Sequence, residues 1–224
     1  MGMKKIFILG TTEYAFMLNK MITQEDAFHI LGHTCNASQV EDNREVCATH
    51  GVELFAFEEL PAIEEKVCIL NAIGYSHMND TRKRLFQDCI ERGYEPVNYI
   101  SNRAIVLSEI EGRGNIVFPG AYIGTNVKVG EGNVFYTGAV MTHDIVVQDF
   151  NFIAANTTVG GVVSIGSNCF IGMGSTIRNR IHISDYTLVG AGAYLDHSTN
   201  REDVVVPARS VVLDRKSMEM SLTK

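Results

Sequence analysis

From residue 105 onward, one position in every six is apolar. Counting in sixes gives Ile105, Glu111, Val117, Ile123, Val129, Phe135, Met141, Val147, Ile153, Val159, Ile165, Ile171, Ile177, Ile183, Val189 and Leu195. Fifteen of these sixteen are apolar and twelve are Ile or Val, in a chain that is 46% apolar overall. Only Glu111 breaks the series. Four residues after these positions, small or β-branched residues recur (Ala121, Ala139, Thr157, Ser175, Ala193), and Gly recurs one residue after, at 124, 130, 160, 166, 172 and 190.

A period of six is neither the 3.6 of a helix nor the 2 of an ordinary strand. It is the grammar of a β-helix, in which each hexad supplies a short strand and a corner. The large apolar residue fills the axis, the small one packs beside it, and Gly or Asn eases the corner. Three hexads close a coil, so residues eighteen apart stack at about the strand spacing, ~4.8 Å. The sixteen hexads predict about five coils over 101–198, with 199–224 as a C-terminal tail.

Residues 1–100 follow another grammar. The apolar runs KIFIL, FHILG, GVELFAF and KVCILNAIG alternate with EYAFMLNKMI and NDTRKRLFQDCIERG, which have helical spacing, and EPVNYI reads as a last strand. Asn79 or Asp80 caps the start of the second helix and Gly93 ends it. Strand–helix alternation of this kind predicts a small parallel α/β domain.

Composition narrows the function. A net charge of −7 argues against a broad nucleic-acid or anionic-membrane footprint. Five scattered cysteines, with no C-x-x-C, read as free thiols of a reducing compartment. The opening MGMKKIFILG is too short an apolar run for a signal peptide or a span, so the expected location is cytoplasmic.

The chemistry concentrates in FYTGAVMTHDIVVQDF. His143 and Asp144 follow Met141 at corner positions, so both side chains point outward. His suits a general base near neutral pH, and an adjacent carboxylate can hold its tautomer. Eighteen residues on, Gly161 stacks on the same corner and offers a bare backbone N–H as an oxyanion donor. Arg178 and Arg180 flank the next position of that stack and are candidates for phosphate contacts.

Lines such as VSIGSNCFIGMGSTI resemble the hexapeptide-repeat acyltransferases, whose coils form a left-handed parallel β-helix. With an α/β domain ahead of it, the chain over 4 to about 208 resembles the bacterial sugar-nucleotide acetyltransferases. These are the sialic acid O-acetyltransferase-like group, which includes the diacetylbacillosamine and perosamine N-acetyltransferases. The resemblance implies a Rossmann-like N-terminal domain (1–100) and a homotrimer with sites in the clefts between subunits. It implies acetyl-CoA as co-substrate without a metal, and a nucleotide-linked amino sugar, a 4-amino-4,6-dideoxyhexose, as acceptor. It also implies a place in lipopolysaccharide O-antigen biosynthesis, His143 as base with Asp144, Gly161 at the oxyanion, and Met173 and Ala191 along the pantetheine of CoA. The outward aromatics Phe118, Tyr136, Phe150 and Phe152 are expected to support subunit packing.

Two positions depart from the family pattern. Tyr136 stands where relatives often carry Asn, and Phe152 where many carry a second His, so an aromatic wall replaces a polar contact near the thioester. The C-terminal VVVPARS also lacks the usual glycine.

In the α/β half, ILGTTEYA follows a strand and opens a helix. Gly10 is all that remains of a G-x-G-x-x-G pattern, which makes a dinucleotide fingerprint weak. The helix N-terminus with Gly10, Thr11 and Thr12 is instead the candidate diphosphate site. No acidic residue ends the second strand, which offers His33 and Asn36. In IGYSHMNDTRKRL, Gly74, Asn79 and Arg82 resemble the family's turn facing the nucleotide.

Other readings remain open at this level: O-acetylation of a sugar hydroxyl, transfer of another acyl group from its CoA thioester, a metal-dependent hydratase, a nucleotidyltransferase, and a non-catalytic nucleotide sensor. The hydratase needs converging histidines, and the successive gaps between His143, His182 and His197, 39 and 15 residues, are not multiples of eighteen. The nucleotidyltransferase needs a basic loop that GTTEYA lacks.

Overall fold

A computed structural model describes residues 3–60, 66–208 and the single positions 210, 212 and 214. The N-terminal unit is a five-stranded parallel sheet in the order β3-β2-β1-β4-β5. Its strands are β1 (Lys5–Leu9), β2 (His29–Cys35), β3 (Leu54–Ala56), β4 (Cys68–Asn71) and β5 (Glu95–Pro96). The helices are α1 (Glu13–Gln24), α2 (Val40–Thr49) and α3 (Asp80–Glu91). β1 is apolar without alternation because both of its faces are covered. Ile6 and Ile8 point to the α1 side, and Phe7 and Leu9 pack with Leu85 and Cys89 of α3.

The expected strand EPVNYI is divided. Glu95–Pro96 closes the α/β sheet beside β4, whereas Tyr99–Ile100 opens a second body by pairing with Ile116–Val117. The chain therefore passes from one sheet to the next with no linker.

That second body has three faces, each a parallel sheet. The first face contains seven strands from Tyr99–Ile100 to Val204–Val205, the second six from Ile105–Val106 to Tyr194–Leu195, and the third four from Lys128–Val129 to His182–Ile183. Residues eighteen apart pair, as in Phe135↔Ile153, Met141↔Val159 and Val147↔Ile165. The register residues from Val117 to Leu195 are all buried and form one axial core.

The counting fails at its first two positions. Val106 pairs with Ile123 and Ile100 with Val117, seventeen residues apart, so the first coil is one residue short. A one-residue slip exchanges inside and outside. Ile105 is consequently 56% exposed and Glu111 is exposed, while Val106 and Ile110 face the core. At the other end Val189 pairs with Val205, sixteen residues on, so the sheet continues past the expected end at 198. Most of the expected tail beyond 208 lies outside the described residues.

The corners also differ from the expectation. The left-handed residue falls three positions after the register position, as at Gly120, Asn126, Gly138, Asp144 and Asn156. The glycines one position after it serve close approach instead: a Cβ at Gly160 would lie 2.7 Å from the Asn179 nitrogen in the next coil.

The α/β unit docks on the first face. Its outward residues Ile116, Phe118, Val134 and Phe152 share a core with Ala15, Leu18 and Ile22 of α1 and with Leu70 of β4. Phe118, Phe150 and Phe152 are nearly inaccessible for this reason, and Phe150 also meets Phe86 of α3 edge-on. The aromatics expected to face another subunit are thus covered by the chain's own N-terminal unit. At the corner between third and first faces, Asn115, Asn133 and Asn151 form a ladder, each side-chain oxygen accepting the N–H eighteen residues on.

Candidate functional site

The strand Val140–His143 ends on the corner between the second and third faces. Asp144, at φ 54°, turns that corner, and Asp is among the residues that tolerate this conformation. Its backbone N–H donates to Thr125 O (3.1 Å) and its carboxylate reaches back to the preceding ring, with His143 Nδ1 2.8 Å from Asp144 Oδ2. Asn126, one coil earlier, donates its amide to Asp144 Oδ1 at 2.5 Å. These bonds, the histidine's first, hold the Asp144 carboxyl below its usual range. An ionised carboxylate at Nδ1 assigns the proton to that nitrogen, which leaves the Nε2 lone pair open on an exposed ring.

Gly161 lies directly against this ring, and a Cβ there would overlap His143 Cε1 and Nε2. Among the described residues no acceptor takes the Gly161 N–H. The next residue, Val162, donates to His143 O (3.1 Å) and has φ 62°. That is an outlier for a β-branched side chain, and such strain gathers at functional sites. Arg180 N donates to Gly161 O (3.0 Å), and Arg178 and Arg180 are exposed along the same corner.

One more pair stands on this corner. His197 is fifty-four residues from His143, three coils on, a multiple of eighteen that the successive gaps hide. Its Nδ1 lies 2.8 Å from Asp196 Oδ1. Three coils span roughly 14 Å, so the two imidazoles of one chain cannot share an ion with bonds of about 2 Å.

Met173 and Ala191 stand on a different corner, between the first and second faces. They line an apolar slot of about 470 Å³ with Tyr14, Tyr75, Tyr136, Phe152 and Phe170. Tyr136 stacks on Phe118 at 4.3 Å and its hydroxyl reaches Met17 Sδ at 3.6 Å. Phe152 stacks on Phe170 at 5.7 Å. The whole second face separates this slot from His143 within one chain.

Five of the seven candidate nucleotide residues come together. Gly10, Thr11, Thr12, Asn36 and Gly74 line a cleft of about 280 Å³ at the carboxyl ends of β1, β2 and β4. The strand order reverses between β1 and β4, the usual place for a ligand in an open α/β sheet. Thr12 precedes α1 without a side-chain cap, and Thr34 Oγ1 in the cleft wall is buried with no partner. His33 sits behind the cleft: it is fully buried, with Nδ1 2.8 Å from Gly10 O and Nε2 2.9 Å from the Asn19 amide.

Arg82 and Asn79 do not belong to that cleft. Arg82 is 1% exposed. It donates to the carbonyls of Gly132 (Nε, 3.0 Å), Gly74 (Nη1, 3.1 Å), Phe150 and Asn151 (Nη2, both 3.1 Å). Burial lowers its pKa to about 10, so it remains a cation, with its hydrogen bonds spent on joining the two units. Asn79 is buried at φ 68°, makes no side-chain cap, and donates to Cys169 O (3.0 Å). The basic residue that lines the cleft is Arg84, beside Ser76 and Thr81. The signal was present in the helix period: the buried stripe Arg82, Leu85, Phe86 and Cys89 takes position 82 inward and leaves 84 outside.

Among the described residues, no group of three His, Cys, Asp or Glu side chains could hold a metal ion, and no helix is long and apolar enough to cross a membrane.

Residues 144–179 match the family of bacterial transferase hexapeptide (six repeats). The chain resembles the acetyltransferase domain of PglB from Neisseria gonorrhoeae in complex with acetyl coenzyme A (TM-score 0.75, 19% identity, 94% of this chain and 100% of that one). It also resembles a histidine-to-alanine mutant of GDP-perosamine N-acetyltransferase from Caulobacter crescentus in complex with CoA and GDP-perosamine (TM-score 0.72, 18%, 92% and 94%). WeeI from Acinetobacter baumannii is a third (TM-score 0.70, 17%, 90% and 94%). At these identities the likeness carries the fold alone, a parallel β-helix of hexapeptide repeats joined to an α/β unit. No curated protein matches the chain in sequence.

Proposed function

We propose that this chain is a CoA-dependent acyltransferase that N-acetylates a nucleotide-linked amino sugar, a 4-amino-4,6-dideoxyhexose, with His143 as general base. The observation that carries the reading is the arrangement on one corner: Asp144 on Nδ1 of His143, a free Nε2, and Gly161 against the same ring, with no acceptor for its N–H among the described residues. Similar folds that hold acetyl-CoA, or CoA with GDP-perosamine, support the substrate classes.

Asp144 fixes the ring with Nε2 toward the substrate and stabilises the imidazolium that forms. The amine nitrogen attacks the thioester carbonyl as Nε2 accepts its proton, and the developing oxyanion takes the Gly161 N–H. The C–S bond then breaks, and the thiolate leaves with the proton. The cleft around Gly10, Thr11, Thr12, Asn36, Gly74 and Arg84 holds the nucleotide diphosphate.

The separation of the His143 corner from Met173 and Ala191 supports a site completed between copies, with pantetheine lying between the corner of one and that of the next. A homotrimer meets this geometry.

Turnover of acetyl-CoA with amine-bearing and hydroxyl-only nucleotide sugars tests the reading, with the O-acetylating alternative as its other arm. His143→Ala is expected to lower kcat by about two to four orders of magnitude. Near-normal turnover in that variant sinks the assignment.

A further inference from the structure

Beyond Met173 and Ala191, which mark the expected pantetheine line, the slot continues between Tyr75, Tyr136, Phe152 and Phe170, and that part is too large and too apolar for the methyl of an acetyl group. The slot's volume is about 470 Å³, open at the surface and shared with the pantetheine line beside Met173 and Ala191, and it exceeds what the methyl of an acetyl group fills. Five aromatic side chains line it, and Phe152 and Phe170 stack there with Tyr75 packed against both. The slot shares Gly74 with the nucleotide cleft and reaches the exposed Met173 at its other end.

Its polar groups select the occupant. The Tyr136 hydroxyl is engaged with Met17 Sδ, and the N–H groups of Ala154 and Gly172 are committed to the next coil. The Tyr14 hydroxyl is buried with no partner. The Tyr75 hydroxyl, on an exposed side chain, is also unengaged among the described residues. Two spare hydroxyls suit an apolar group bearing a single carbonyl, whereas a hexose would bury more hydroxyls than they can pair, which is costly.

We infer that this slot is an acyl pocket, and that the CoA thioester used by the chain carries an alkyl or aryl acyl group of four or more carbons. This rests on the acyltransferase reading and changes its donor. The chemistry balances as before: the amine nitrogen forms the amide bond, the thioester C–S bond breaks, and CoA leaves as the thiol.

Two measurements test it. Steady-state kinetics with a nucleotide-linked 4-amino-4,6-dideoxyhexose compare acetyl-, butyryl- and benzoyl-CoA. Because each methylene in an apolar pocket is worth about tenfold or more, butyryl-CoA is expected to exceed acetyl-CoA in kcat/KM by at least about tenfold. Ala155→Leu, which fills the slot, is expected to reverse that ratio, a readout that partial misfolding leaves intact. Calorimetry with the thioethers S-ethyl-CoA and S-hexyl-CoA needs no acceptor and is expected to show tighter binding of the longer analogue. Equal affinities, or acetyl-CoA as the best donor, overturn the acyl pocket and leave the acyltransferase reading standing. Failure of both analogues to bind overturns both readings.

Discussion

The ring of His143 occupies the space that a Cβ on Gly161 would need. The two residues stand eighteen apart and stack on one corner, so the absence of a side chain at 161 sets where the imidazole rests. Gly161→Ala must displace the ring, although the backbone angle at 161 does not itself demand glycine. We expect kcat to fall by about 10²–10³ with the melting temperature little changed. Circular dichroism melting beside steady-state kinetics checks both; unchanged turnover removes Gly161 from the site.

Val162 holds φ 62° with a β-branched, 43% exposed side chain. Such a conformation costs on the order of 1–3 kcal/mol. Val162→Asn is expected to raise unfolding stability by about 1 kcal/mol, read as an increase in the urea midpoint. A lower midpoint would show that the side chain contributes packing that outweighs its strain.

Arg82 and Arg84 separate structure from binding two residues apart. Arg82→Met takes a donor from four carbonyls and leaves the buried Gly132 O and Phe150 O with none, since Asn151 O keeps the Val134 N–H and Gly74 is half-buried. At about 1 kcal/mol or more for each unsatisfied buried group, a loss of about 2 kcal/mol or more is expected in chemical denaturation. Arg84→Ala is expected to leave stability within about 0.5 kcal/mol and to raise KM for the nucleotide sugar without changing KM for the CoA thioester. Equal changes in both KM values place Arg84 outside the nucleotide cleft.

His33 makes the α/β unit sensitive to acid. Burial lowers its pKa, partly offset by the bond to Gly10 O. The unfolded chain therefore takes up a proton that the folded chain refuses. Its contribution is fully present above the unfolded value of about 6.5 and is lost as pH falls from there toward the lower folded value. The slope is at most about 1.4 kcal/mol per pH unit. Denaturation midpoints in that acid window should fall in the parent and flatten in His33→Gln; parallel pH profiles would exclude His33 as the cause.

The divided site gives a complementation test. A His143→Ala protomer lacks the base, and a Met173→Glu protomer has a charge in the expected pantetheine line. If each site is assembled from two copies, co-refolding the two inactive variants should restore a substantial fraction of parent turnover. Activity no higher than that of either variant alone argues for a site within one chain.

The hexad period made the β-helix readable because a repeating coil is local: every sixth side chain meets its partner eighteen residues away. The same arithmetic put Gly161 under His143. It failed at Ile105 and Glu111, where one missing residue reverses the pleat, and at 198, where the last coil closes in sixteen residues. Gly10, Thr11, Thr12, Asn36 and Gly74 were legible as a cleft because strand ends in a parallel sheet converge. Arg82 and Asn79 were not, since their partners at Gly132, Phe150 and Cys169 lie in the other unit, 50 to 90 residues away.

By itself the sequence determined the axial core of the β-helix and the corner that carries His143 and Asp144, because both follow from a short-range period. Only the tertiary structure decided which face the α/β unit covers. That docking turned the aromatics Phe118, Phe150 and Phe152 from an expected subunit surface into an internal interface. It buried Arg82 and left Arg84 in the cleft, and it framed the slot between Tyr14, Tyr75 and the first face. The physical reason is one: what a side chain does depends on the surface that reaches it, and that surface comes from chain far away in sequence.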